Sequence, residues 1–235
     1  MAIKVFADGA DLAGMLEMYR SGAVDGFTTN PSLMKRGGVT DYRAFAREVL
    51  AEIRDLPVSF EVFADEPVAM EAEAREIAGW ADNVYVKIPA LTTDGTPTTD
   101  LVRRLSADGV KVNVTALFTE EQIREFIEAV DEQTPSVISV FAGRIADTGV
   151  DPLPTMTYAV QIAAARRARC EVLWASTREY LNIKQAENCG CQIITVPNKI
   201  IAKRGNEGRD LYECSLDTVR GFAADIAELG FRILP

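Results

Sequence analysis

The chain carries one lysine in a place where lysines are rare. Residues Asn83 to Pro89 read Asn-Val-Tyr-Val-Lys-Ile-Pro. In an extended segment, Val84, Val86 and Ile88 share one face, and Tyr85 and Lys87 share the other. An ammonium group in an apolar run is costly unless the site uses or pairs it. Burial disfavours the charged form, and a neutral amine can add to a carbonyl to form a Schiff base. The competing reading is structural: a lysine near a strand end can snorkel to water or pair with a carboxylate.

Other chemistries are narrowed by what is missing. The sequence contains no histidine, which excludes a Ser-His-Asp triad, a Cys-His dyad and histidine-based metal sites. Proton transfer must then fall to Asp, Glu, Lys, Tyr or Cys. The four cysteines, Cys170, Cys189, Cys191 and Cys214, are too few to staple a chain of this length and read as buried reduced thiols. No metal ligand set and no cofactor fingerprint of the G-x-G-x-x-G or G-x-x-x-x-G-K-[ST] kind follows an early strand, so neither a metal nor a cofactor is expected.

Short apolar runs alternate with amphipathic segments along the chain. Strands are predicted at Lys4 to Ala7, Gly26 to Thr28, Val58 to Val62, Val84 to Ile88, Lys111 to Thr115, Ser136 to Val140, Glu171 to Ala175 and Gln192 to Thr195. Helical periodicity covers Asp41 to Arg54, Val68 to Trp80, Thr98 to Asp108, Glu120 to Asp131, Pro154 to Ala168 and Thr177 to Asn188. Glycines just past helical patterns at Gly109 and Gly190, and an N-cap at Thr119, support the boundaries. Repeated βα units of this spacing predict an α/β fold, a (β/α)8 TIM barrel, with an open doubly wound sheet as the structural rival. Residues 210 to 229 read as one further helix beyond the barrel, and residues 1 to 235 as a single barrel domain.

In such a barrel, chemistry sits at the C-terminal ends of the strands. Polar residues fall there repeatedly: Asp8, Asn30, Glu61, Lys87, Asn113, Thr115, Ser139 and Ser176, with Phe141, Arg144 and Arg178 just beyond. Each has a structural alternative. Asp8 and Asn30 can serve turns. Glu61 can pair with Lys87 and leave both inert. Thr115 can cap, and the arginines can be solvated surface charges. Structural roles alone would scatter such residues, whereas these share strand ends.

A formal net charge of −10 argues against nucleic acid as a partner. No apolar run approaches the roughly 20 residues needed to span a membrane. The N-terminal residues lack a signal-peptide layout, so a cytoplasmic location is expected.

Four segments together resemble the transaldolase family: Gly26-Phe27-Thr28-Thr29-Asn30-Pro31-Ser32, Val86-Lys87-Ile88-Pro89, Asn113-Val114-Thr115 and Trp174-Ala175-Ser176-Thr177-Arg178. The similarity runs from Phe6-Ala7-Asp8 to about Thr195-Val196-Pro197. The short length resembles the branch of small transaldolases and fructose-6-phosphate aldolase. The resemblance implies a metal-free class I aldolase barrel in which Lys87 forms the Schiff base. It implies that Asp8 is the acid/base for carbon–carbon cleavage, and that Glu61 acts through a water held by Thr115. It further implies substrate contacts from Asn30, Asn113, Ser139, Phe141 and Ser176, and phosphate binding by Arg144 and Arg178. The aldolase branch carries glutamine at the position of Glu61 and tyrosine at that of Phe141, so both residues here resemble the transaldolase pattern. The implied reaction moves a dihydroxyacetone unit between a phosphorylated ketose and an aldose. Release of free dihydroxyacetone, or action on a 6-sulfonated ketose, are the alternatives. The resemblance also implies a homo-oligomer, a pentamer or decamer. The apolar stripe Leu216, Val219, Phe222, Ile226 and Leu229 suits either a neighbouring subunit or the chain's own barrel.

Overall fold

A computed structural model describes residues 2–166 and 169–234. Residues up to Ile201 form one compact unit, and those from Ala202 onward form a second.

In the first unit, strands and helices alternate. The order is β1 (Lys4–Asp8), α1 (Leu12–Ser21), β2 (Gly26–Thr28), α2 (Pro31–Arg36), α3 (Tyr42–Glu52), β3 (Val58–Glu61), α4 (Pro67–Ala78) and β4 (Val84–Pro89). It continues with α5 (Thr99–Ala107), β5 (Val112–Leu117), α6 (Glu120–Ala129), β6 (Ser136–Val140), α7 (Ala142–Asp147), α8 (Leu153–Arg166), β7 (Cys170–Trp174), α9 (Leu181–Asn188), β8 (Ile193–Pro197) and α10 (Asn198–Ile201). The strands are parallel and follow one another in chain order, and β8 pairs back onto β1 to close the barrel. The (β/α)8 expectation is met, and the open-sheet rival is not.

Two apolar layers hold this arrangement together. One lies between the sheet and the helices and is built from residues such as Phe27, Val86, Ile88, Val114 and Trp174. The other fills the barrel interior with Phe6, Val137, Leu173, Ala175 and Ile193, and with Tyr85 against them. Gly26 makes room for that floor. A Cβ at this position would meet the Phe6 ring at 2.7 Å, so a side chain on β2 here would displace the ring. Period-2 alternation then delivers Asp8, Thr28, Lys87 and Thr195 into the barrel above the floor.

Helix ends follow local chemistry. Asp41 caps α3 by accepting a hydrogen bond from Ala44 N at 2.9 Å. Thr119 and Gln122 form a reciprocal capping box on α6. Several predicted helices are trimmed at one or both ends by such caps. The predicted segment ending at Ala168 is helical to Arg166, and Ala168 lies outside the described residues. One boundary needs a larger correction. The helix expected from Thr177 starts at Leu181, because Ser176 adopts left-handed backbone (φ 65°) and the Thr177 hydroxyl donates to Thr195 O at 2.7 Å. All four cysteines are free thiols, yet only Cys191 is buried; Cys170, Cys189 and Cys214 are part-exposed.

The second unit contains a 3-10 turn, Ala202–Asn206, and α11 (Leu211–Leu229). The Asp210 carboxylate accepts hydrogen bonds from Tyr212 N and Glu213 N at its start, and Gly230 ends it in left-handed backbone. Val219, Phe222, Ile226 and Leu229 are exposed along it. Among the described residues, no helix is long and apolar enough to cross a membrane.

Candidate active site

Strand register explains the centre of the site. Glu61 ends β3 directly opposite Lys87 on β4, so their side chains enter the barrel side by side. Lys87 is 6% exposed. Its Nζ lies 3.1 Å from Glu61 Oε2 and donates to Thr29 O at 3.1 Å. The amine and the carboxylate are therefore in direct contact. Glu61 is anchored from behind: the Tyr42 hydroxyl donates to its carbonyl at 2.9 Å. The Tyr42 ring packs edge-on against Phe60 and Trp80.

Asp8 ends β1 opposite Thr28 on β2. Thr28 Oγ1 donates to Asp8 Oδ1 at 2.9 Å, and Thr195 Oγ1 of β8 lies 2.5 Å from Thr28 Oγ1. Burial pushes the Asp8 carboxyl above its ordinary range. The Lys87 charge, the Thr28 hydrogen bond and Arg36 oppose this, and Glu61 adds to it.

On the next wall, Pro89 of β4 is opposite Thr115 of β5. Thr115 Oγ1 is buried with no hydrogen-bond partner, which is an expensive condition for a hydroxyl unless a ligand satisfies it. Asn113 is fully buried. It accepts from Ser139 Oγ at 2.6 Å and donates to Ser59 Oγ at 3.0 Å. Both ends of its amide are thus engaged, and it stands behind the cavity wall. Asn30 accepts from Leu33 N at 3.0 Å and caps α2.

The anion-suited residues lie on the opposite sector. Arg144 sits on the short α7, with its guanidinium carbon 4.9 Å from the centre of the Phe141 ring. Arg178 follows β7 and engages Asp147 with both edges of a fork, Nε to Oδ1 at 3.1 Å and Nη2 to Oδ2. This holds the Asp147 carboxyl below its ordinary range. Gly143 brings the two segments together. A Cβ there would lie 1.6 Å from Ser176 O, so only a glycine lets α7 rest on the backbone after β7.

One cavity of about 520 Å³ joins these groups; Asp8, Thr28, Asn30, Glu61, Lys87 and Thr115 line one side. Ser139, Phe141, Arg144, Ser176, Arg178 and Thr195 are also among its lining residues. Every predicted site residue except Asn113 therefore reaches it. Ala116 and Ser176, the two non-glycine residues with positive φ among those described, both line it, and strained backbone of this kind concentrates at functional sites. Sequence reasoning missed Thr28 as a partner of Asp8, together with Thr195, Asp147 and Gly143.

Comparison with known proteins gives the chain its relatives. A protein of Streptococcus equi subsp. zooepidemicus named "Probable transaldolase" is 37% identical over 201 residues, 86% of this chain and 89% of that one. One of the same name from Dehalococcoides mccartyi is 34% identical over 199 residues, 85% and 88% of the two chains. Among solved structures, KGPDC from Streptococcus mutans superposes with a TM-score of 0.58 at 12% identity, covering 87% of this chain and 92% of that chain, a likeness of fold alone. Residues 5–233 match the family described as Transaldolase/Fructose-6-phosphate aldolase, and the chain belongs to that family.

Proposed function

We propose that this protein is a transaldolase that moves a dihydroxyacetone unit between sugar phosphates through a Schiff base on Lys87. The observation that carries the reading is the Lys87 amine, buried, 3.1 Å from Glu61 and opening into the cavity that Arg144 and Arg178 also line. Lys87 adds to the C2 ketone of a ketose phosphate, and its displaced proton passes to Glu61. Water leaves, and an iminium forms. Asp8 takes the proton of the C4 hydroxyl as the C3–C4 bond breaks, and the iminium accepts the electron pair as an enamine. An aldose phosphate departs. A second aldose phosphate enters, and the steps reverse, with water regenerating the free amine. A carboxyl whose burial raises its affinity for protons suits the Asp8 step, because it accepts a proton in one direction and returns it in the other. The unsatisfied Thr115 hydroxyl supports a role in holding the water exchanged at C2.

Arg144 and Arg178 bind the phosphate, since the planar guanidinium forks suit a phosphate dianion. Asn30, Ser139, Phe141 and Ser176 contact the sugar, and Asn113 orients Ser139. The glutamate at position 61 favours transfer over release, because a carboxylate can carry a proton and an amide cannot. We take residues 1–235 as one catalytic domain acting in the pentose phosphate pathway of the cytoplasm. The apolar side chains of α11 suit assembly into a homo-oligomer. Borohydride reduction in the presence of ketose phosphate should add the mass of the three-carbon unit or the sugar to Lys87. An unmodified Lys87 would remove the mechanism. A product assay with and without an acceptor aldose separates transfer from release of free dihydroxyacetone.

A further inference from the structure

The Asp8 carboxyl does not stand alone in the barrel. Two hydroxyls extend from it across β1, one from each neighbouring strand: Thr28 on β2 and Thr195 on β8. We propose that Thr195 is a positioning residue for the cleavage step, acting through Thr28 to orient and polarise the proton donated to Asp8. The proposal rests on the reading of Asp8 as the acid/base.

Proton counting gives the chain its direction. Thr28 Oγ1 has one proton and two oxygen neighbours, Asp8 Oδ1 at 2.9 Å and Thr195 Oγ1 at 2.5 Å. An ionised carboxylate can only accept. With Asp8 ionised, Thr28 must therefore give its proton to Asp8, and Thr195 must give its own to Thr28. Once Asp8 has taken the proton of the sugar hydroxyl, it becomes a donor. The chain can then reverse, from Asp8 to Thr28 to Thr195. Thr195 lines the cavity, so its released proton turns toward solvent or substrate. The two hydroxyls thus have one arrangement for each protonation state of Asp8. A chain of hydrogen bonds polarises its members cooperatively, so losing the outer hydroxyl weakens the inner bond without touching it.

The surroundings suit a group that titrates in use. Burial raises the proton affinity of Asp8, while Lys87 of β4, the Thr28 hydrogen bond and Arg36 of α2 lower it, and Glu61 of β3 raises it. Lys199 of α10, which follows β8, lines the same cavity. Thr195 is 5% exposed, and it spends its carbonyl on the Thr177 hydroxyl. Its own hydroxyl hydrogen-bonds with Thr28.

The sign follows from which form the chain stabilises. Hydrogen bonds donated to the carboxylate favour the ionised form. Removing them makes Asp8 hold its proton to higher pH, so the acid limb of the cleavage rate moves upward. The test is the pH profile of kcat/KM for ketose phosphate cleavage in the wild type, Thr195→Val, Thr195→Ser and Thr28→Val. Thr28→Val should lower the rate at the foot of the acid limb, relative to its plateau, by roughly threefold or more, the scale of one lost hydrogen bond. Thr195→Val should move the limb in the same direction by about 10–30% of that amount on a logarithmic scale, and Thr195→Ser should restore it. An acid limb unmoved by Thr195→Val, or moved equally by Thr195→Ser, would overturn the proposal. Borohydride trapping on Lys87 in the same variants separates the two levels of the reading. A trapped adduct with an unmoved limb sinks the Thr195 role alone, whereas failure to trap in the wild type sinks the Schiff-base reading itself. Thr195→Ala also removes the hydroxyl, so it decides in place of Thr195→Val should the valine variant fail to fold.

Discussion

The two sides of the barrel mouth are built differently. Asp8, Glu61 and Lys87 project from strands, are buried or nearly so, and are fixed by strand register and by neighbouring hydroxyls and carbonyls. Arg144 and Arg178 project from a short helix and a loop, are exposed, and are held by a ring and by an exposed carboxylate. The difference shows where rigidity is spent. Bond-making groups need fixed positions and a low dielectric. A pair of guanidinium groups for a hydrated anion needs reach and rapid exchange.

The sharpest way to break the comparison is to remove the amine. Lys87→Met should reduce turnover by roughly 10,000-fold or more, because the nucleophile itself is lost, and mass spectrometry should find no borohydride adduct. Asp8→Asn comes next. Cleavage should slow by about 100- to 10,000-fold, while the adduct on Lys87 still forms. This variant should also be more stable at neutral pH, as read by the thermal midpoint. The folded Asp8 carboxyl binds protons more tightly than in the unfolded chain, so its ionised form costs stability above the folded pKa. The gain should fade as pH falls through that pKa and vanish once both states are protonated.

The arginine side should respond in KM. Arg178→Ala should raise KM for phosphorylated sugars by about 10- to 100-fold, the worth of charge-assisted hydrogen bonds, and leave unphosphorylated ketoses little affected. Equal losses on both would erase the distinction between the two sides. Gly143→Ala should mimic this more weakly although residue 143 touches no anion, because the added Cβ collides with Ser176 O and pushes α7 away. The smallest effect is electrostatic. Added salt should raise KM for phosphorylated substrates, since exposed charges are screened over about 10 Å at 0.1 M, while borohydride trapping of unphosphorylated ketose on the buried Lys87 should hardly change.

The barrel and the strand-side groups were legible because both depend on period-2 alternation. Lys87 stood out inside an apolar run, and Asp8 and Glu61 ended theirs. The hydroxyl partner of Thr28 was not legible, since Thr195 lies 167 residues away in sequence and meets it only when β8 closes onto β1. α7 escaped notice because six residues are too few to show a helical period, and Asp147 escaped with it. The positive φ at Ala116 and Ser176 leaves no trace in residue type, because neither is the glycine that would announce it. Asn113 had the right face and the right chemistry. Its burial behind Ser139 depends on packing that alternation does not encode.

The packed floor of Phe6, Tyr85, Val137, Leu173 and Ile193 has a kinetic corollary. A barrel plugged from below has a single door. If Lys87 carries the three-carbon fragment as proposed, the first aldose must leave the cavity that Arg144 and Arg178 line before its successor can take the same place. On the proposed chemistry, strictly alternating turnover, with the departing sugar competing against the arriving one, follows from a floor of which only Leu173 and Ala175 line the cavity itself.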